Sequence, residues 1–217
     1  MRAITKGREP DSLVECRSAR PKLKYTDYRD LDTLRQCLVR EQRGLCCYCM
    51  CRIRPTKDDM KVEHWHSQDS YPLETLDYCN LLGACTGNEG KRPADQHCDT
   101  SKGNQNLSRN PASPAHHVEN FIQYGRTDGA LSSQDPQFDR ELNEVLHLNI
   151  EALRNRRLAA IDILIQSLPK RQAWPEAVIR KELQEWNGES HKGELEPYCQ
   201  VVVHWVRKWL KRHDVAI

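Results

Sequence analysis

The stretch whose reading decides the fold opens Gly44-Leu45-Cys46-Cys47-Tyr48-Cys49 and passes through Lys61-Val62-Glu63-His64, Asn80-Leu81-Leu82 and Cys85. It closes with His97-Cys98-Asp99-Thr100-Ser101-Lys102-Gly103. Cys46 and Cys49 have the Cys-x-x-Cys spacing of a knuckle, a tight turn that aims two thiolates at one ion. Cys85 and Cys98 can supply the other two ligands of a closed, tetrahedral zinc site. Twelve residues separate this second pair, so His97 can stand in for either member. Cys47 and Cys51 compete for the first pair, although one intervening residue to Cys49 suits a knuckle poorly.

Outward from this centre, residues 44–107 are poor in helical periodicity and rich in turn formers. Lys61–His64 and Asn80–Leu82 are expected as short strands, the Gly/Pro-rich stretch 86–95 as a loop, and a short helix from Asp99. Before it, residues 1–30 read as an extended arm with a strand near Met1–Thr5. Residues 30–43 read as a helix carrying Leu31, Leu34 and Leu38 on one face. After it, 108–137 looks irregular, with a strand at Phe121–Tyr124.

Apolar residues from Leu142 to Leu168 then recur at three-to-four spacing and predict one long amphipathic helix. A helix is expected from Pro175, and a last one with Tyr198, Val202, Trp205 and Trp209 as its stripe. The expected class is α+β, mostly α: an N-terminal arm and helix (1–43), a zinc-stapled module (44–107) and a helical C-terminal half (108–217).

Composition narrows the possibilities. Hydrophobic residues make up 38% and charged residues 29% of 217, no apolar run approaches a membrane span, and the first residues lack a signal-peptide core. A cytoplasmic protein with no membrane association is expected. Ten cysteines without an export signal are then better explained by metal binding than by disulfides. Cys16, Cys37 and Cys199 lie outside the central cluster and read as small buried apolar residues. A net charge of +2 gives no global basic field, so any nucleic-acid contact must come from local patches such as 154–157 and 207–212. Taken singly, each patch reads as a solvated helix face.

Within the zinc frame the remaining polar residues suit metal-assisted phosphodiester hydrolysis. His64 is the natural general base. Glu63 and Asp99 are hard oxygen ligands for Mg²⁺ or Mn²⁺, which would neutralise a phosphate oxygen. Neighbours on a strand point to opposite faces, so Glu63 and His64 can share a site only at a strand end. Asn80 is expected to brace the loop and Lys102, one turn after Asp99, to meet a substrate phosphate. His66 is a rival base that reads more simply as a surface histidine.

These residues resemble the HNH endonuclease family in Cys46/Cys49, Glu63-His64, Asn80-Leu81 and Cys98-Asp99…Lys102-Gly103. The resemblance implies a ββα-metal module with His64 as base, Glu63 and Asp99 as ligands of the catalytic ion and Asn80 as the loop brace. Asp99 stands where that family usually has Asn or His. A narrower likeness is to the HNH nuclease subunits of Septu-type antiphage systems, also found with some retrons. It rests on Met1-Arg-Ala-Ile-Thr-Lys6, Val62-Glu-His-Trp65, the His97–Gly103 close and Val145-Leu-His-Leu-Asn149. It implies a DNA substrate and an ABC/SMC-like ATPase partner, for which Trp205 and Trp209 would offer a docking surface. The alternative is a zinc-stapled adaptor without catalysis, which leaves Glu63, His64 and Asp99 without a task.

Overall fold

The computed structural model describes residues 1–19, 24–168, 174–190 and 193–213. They form a mostly helical α+β fold with two small antiparallel sheets. The arm begins as extended chain: Met1 and Ile4 are buried, and the Ile4 amide donates to the Pro111 carbonyl. The strand expected there is not formed. Instead the arm contains a helix, α1 (Asp11–Ala19), whose first amides bond back to the Pro10 carbonyl. Leu13 is its one buried residue, so no apolar stripe announced it.

Helix α2 (Leu31–Glu41) starts where its pattern predicts, with the Asp30 carboxylate accepting from the Thr33 amide as an N-cap. Leu34, Cys37 and Leu38 face the core. Just beyond, the buried Gln42 amide donates to the Leu45 and Gly83 carbonyls and accepts from the Gly83 amide. This ties helix, knuckle and sheet together. Strands β1 (Met60–His64) and β2 (Leu81–Cys85) pair antiparallel, with Met60 opposite Cys85 and His64 opposite Leu81. The ladder runs one step further, from the Trp65 amide to the Asn80 carbonyl. Helix α3 (Asp99–Lys102) lies along β1, where Lys61 Nζ reaches Thr100 Oγ1 at 3.0 Å.

After a short helix α4 (Val118–Phe121), β3 (Ile122–Tyr124) pairs with β4 (Leu131–Ser133). The single long helix expected from 142 to 168 is interrupted. Helix α5 (Pro136–Arg140) widens into a π turn (Glu141–Val145), the chain loses helical form, and α6 (Glu151–Ser167) begins anew. The break frees carbonyls for other partners. Leu146 O accepts the Cys98 amide at 2.9 Å, and Val145 O accepts Ser101 Oγ at 2.8 Å. His147 turns with φ of +47°. The fully buried Arg157 fastens the gap by donating to Leu148 O, Asn149 Oδ1 and Gly129 O. Apolar spacing cannot report such a break, because Leu146 and Leu148 are buried either way.

Helices α7 (Glu176–Asn187) and α8 (Cys199–Arg212) pack together. The buried face of α8 is Val202, Val203, Val206 and Leu210, while Trp205 and Trp209 are only partly covered. Backbone bonds from the Leu195 amide to Arg43 O and from the Tyr198 amide to Met50 O set the C-terminal segment against the knuckle. One contiguous core runs from Met1 to Leu210. Among the described residues, no helix is long and apolar enough to cross a membrane.

Candidate metal centre and active site

The knuckle is closed by its own backbone. The Cys46 amide bonds to Cys51 O, the Met50 amide bonds to Cys46 O, and Met50 takes a φ of +67° to complete the turn. Cys85 ends β2 beside it. Cys98 is brought up by a clasp across the loop, in which the His97 amide donates to Gly87 O at 3.0 Å. The clasp needs glycine: φ at Gly87 is +58°, and a Cβ there would stand 2.1 Å from His97 O. It shortens the twelve-residue gap between Cys85 and Cys98 to a contact.

The four Sγ atoms of Cys46, Cys49, Cys85 and Cys98 all lie within 4.8 Å of one another, with Cys46–Cys98 at 3.9 Å and Cys49–Cys85 at 3.7 Å. A tetrahedron with zinc–sulfur bonds of about 2.3 Å has edges of about 3.8 Å. Donor set and spacing therefore fit zinc. Cys51 Sγ lies within 4.8 Å of three of these sulfurs (Cys46, Cys49, Cys85), and a ring nitrogen of His97 within 4.8 Å of Cys49, Cys85 and Cys98. Backbone amides of Cys85 and Cys51 point at Cys46 and Cys49 sulfur, which favours thiolates there. Burial pushes the Cys98 thiol well up; for Cys46 burial acts the same way, but hydrogen bonds from surrounding thiols bring it well below its usual value. Such a cluster calls for a cation. Cys37 and Cys199 are buried as expected, whereas Cys16 is only partly so.

Between β1 and α3 sits the acidic pair. Glu63 is 2% exposed and meets the carboxyl of Asp99, which is nearer the surface. Lys102 Nζ lies 2.9 Å from Glu63 Oε1, and Tyr48 OH donates to the same oxygen at 2.6 Å. Burial, then the Asp99 carboxyl, hold the Glu63 carboxyl well above the ordinary carboxylate range, and Lys102 opposes them. Lys61 Nζ stands 3.7 Å from Asp99. Lys102 itself is 1% exposed, and its ammonium also donates to His64 O at 3.0 Å. Buried and held by Glu63 and the His64 carbonyl, it is not presented at the surface for a phosphate.

His64 is the last residue of β1, although the ladder runs on to the Trp65 amide, and its side chain has other partners than that of Glu63. Its Nε2 lies 3.0 Å from the Thr75 carbonyl. A carbonyl only accepts, so Nε2 carries the proton and Nδ1 keeps the lone pair. Tyr25 packs edge-on against the ring at 4.6 Å. Burial lowers the imidazole pKa to about 4. Asn80 braces the loop between the strands: Oδ1 accepts from the His66 amide, while Nδ2 donates to His66 O and Glu74 O. Tyr48, Thr75 and Glu74 were not legible as site residues, because each acts through a contact that sequence spacing does not encode.

These elements define an α+β protein with a thiolate centre able to hold zinc and, beside it, two carboxyls and a neutral, oriented imidazole. No model of a known protein family matches the chain. A curated protein does: the chain is similar to the Septu protein PtuB of Bacillus thuringiensis, 26% identical over 118 residues. That stretch is 52% of this chain and 39% of the relative, so the similarity spans well under half of the relative's length.

Proposed function

We propose that this protein is a metal-dependent HNH endonuclease that hydrolyses DNA, acting as the nuclease effector of an antiphage defence complex. The observation that carries the reading is the meeting of Glu63 and Asp99 between β1 and α3, with His64, next in the chain, held as one tautomer by Thr75. Two carboxyls brought together in a buried place favour a proton or a cation between them. Strands β1 and β2 with α3 correspond to the ββα-metal module, and Cys46, Cys49, Cys85 and Cys98 would hold its structural zinc. Glu63 and Asp99 would hold Mg²⁺ or Mn²⁺, which supplies charge neutralisation at a phosphate oxygen.

His64 Nδ1 accepts the proton of the attacking water. Its burial keeps it neutral and ready at physiological pH. Lys102 positions the site: it balances Glu63 and grips the His64 carbonyl. Non-specific phosphate contacts supply most of the affinity, so binding weakens steeply with salt. The likeness to PtuB, a Septu protein, supports a defence role within a complex, and an ABC/SMC-like ATPase is the partner proposed here. The zinc module is proposed to span residues 44–107.

The test is cleavage of supercoiled plasmid with Mg²⁺ or Mn²⁺, alone and with the candidate ATPase, by the wild type, His64→Ala and Asp99→Ala. Cutting by the wild type only, with zinc retained in all three, is expected. Zinc-loaded wild type that never cuts would leave the adaptor reading in its place.

A further inference from the structure

His66 is held more firmly than a surface histidine needs to be. Glu74 Oε2 lies 2.6 Å from its Nδ1, so Nδ1 carries a proton and Nε2 is the nitrogen left for outside chemistry. The ring is stacked between Trp65 and Tyr71, each with its centroid 4.0 Å away. Asn80 fixes the backbone on both sides of the residue. Nε2 has no hydrogen-bond partner among the described residues, yet it is not one of the buried atoms left unpaired. It opens to solvent.

The placement matters as much as the rigidity. His64 is held by the carbonyl of Thr75, and His66 by the side chain of Glu74. Two adjacent residues of one turn thus anchor two imidazoles that leave the chain two residues apart, at the bend that follows β1. His64 offers Nδ1 as an acceptor and His66 offers Nε2. In-line displacement at phosphorus is served by a base on the attacking side and an acid on the leaving side.

We propose that the Glu74–His66 pair is the general acid for the departing 3′-oxygen of a phosphodiester, complementing His64; the inference rests on the nuclease reading above. The water oxygen bonds to phosphorus and its proton passes to His64 Nδ1. The His66 ring acts as the imidazolium, with Nδ1–H on Glu74 and a second proton, taken from solvent, on Nε2. As the P–O3′ bond breaks, its electron pair stays on O3′, and the Nε2 proton moves to that oxygen, leaving His66 neutral. Glu74 keeps Nδ1–H in place throughout, as the carboxylate of a catalytic triad does for its histidine.

The test uses two DNA duplexes that differ at one scissile linkage, an ordinary 3′-oxygen or a bridging 3′-sulfur. Thiolate leaves without a proton. His66→Ala should cut the oxygen substrate at least about 100-fold more slowly, the usual scale for a lost general acid, and the sulfur substrate within a few-fold of wild type. Glu74→Gln should show the same asymmetry more weakly, and His64→Ala should lose both substrates. Zinc content and melting temperature of each variant report the fold. Equal losses on both linkages, or none, would overturn the acid role while leaving the nuclease reading standing. A wild type that cuts neither linkage would end both.

Discussion

His64→Gln offers a direct measure of how the site handles protons. The wild-type imidazole has its pKa lowered by burial to about 4, against an ordinary value of 6.5. As pH falls, the unfolded chain therefore takes up this proton before the folded one does. The stabilising effect is complete above pH 6.5 and is lost progressively as pH drops towards 4. For a single group the two values give a loss of about 2 kcal/mol between pH 7.5 and pH 5. At about 2–4 °C per kcal/mol for a chain this long, that is roughly 4–8 °C in melting temperature. Glutamine keeps an N–H for the Thr75 carbonyl and does not titrate. Carboxylates and thiolates elsewhere titrate alike in both proteins, so the difference between their pH–stability curves isolates residue 64. The wild type should lose about 2 kcal/mol more than the variant over this interval, measured by urea denaturation at matched zinc. Parallel curves would show that the folded protein protonates His64 as readily as the unfolded chain, and would remove the buried, neutral imidazole from the argument.

Lys102→Met leaves the buried Glu63 carboxyl without its ammonium partner, to be protonated instead, and should cost about 1–3 kcal/mol by denaturation; an unchanged stability would show that the pair contributes nothing to the fold. Cys98→Ser should lower bound zinc while Cys51→Ser leaves one ion per chain, as read by metal analysis of the purified proteins; the reverse pattern would exchange the two in the ligand set. Gly87→Ala forces a side chain into the clasp and should cost about 1–3 kcal/mol and loosen zinc, measured by competition with a chelator. Unchanged melting and zinc affinity would show that the clasp does not hold Cys98 in place.

The elements nearest the cysteines were the most legible. Helix α2, both strands of the central pair and the start of α3 were readable because each has its own local signal: an apolar stripe, short segments between turn formers, an acidic helix start. The proximity of Cys85 to Cys98 was foreseen only as a pairing of residue types. What brings them together is Gly87, whose meaning as a clasp depends on His97 across the loop. The interrupted helix at 146–150 was illegible for a related reason. Its leucines keep helical spacing while the carbonyls of Leu146 and Val145 serve Cys98 and Ser101, residues far away in the chain. Lys102 was read as a phosphate contact from its distance to Asp99, but spacing says nothing about which way a long side chain turns. Glu74 carries no signal of its own, since eight residues separate it from His66 on an irregular loop.

The bond from the Cys98 amide to the Leu146 carbonyl limits how this chain can be divided. A fragment ending at residue 107 would keep all four sulfurs yet leave the amide of one of them buried and without its acceptor. It would also strip the knuckle of the backbone bonds to Arg43 and Met50 that come from the far end. Grafting the cysteine-bearing segment onto another scaffold would require carrying its distant carbonyl along, so the helical half is part of the site's foundations and not an appendage.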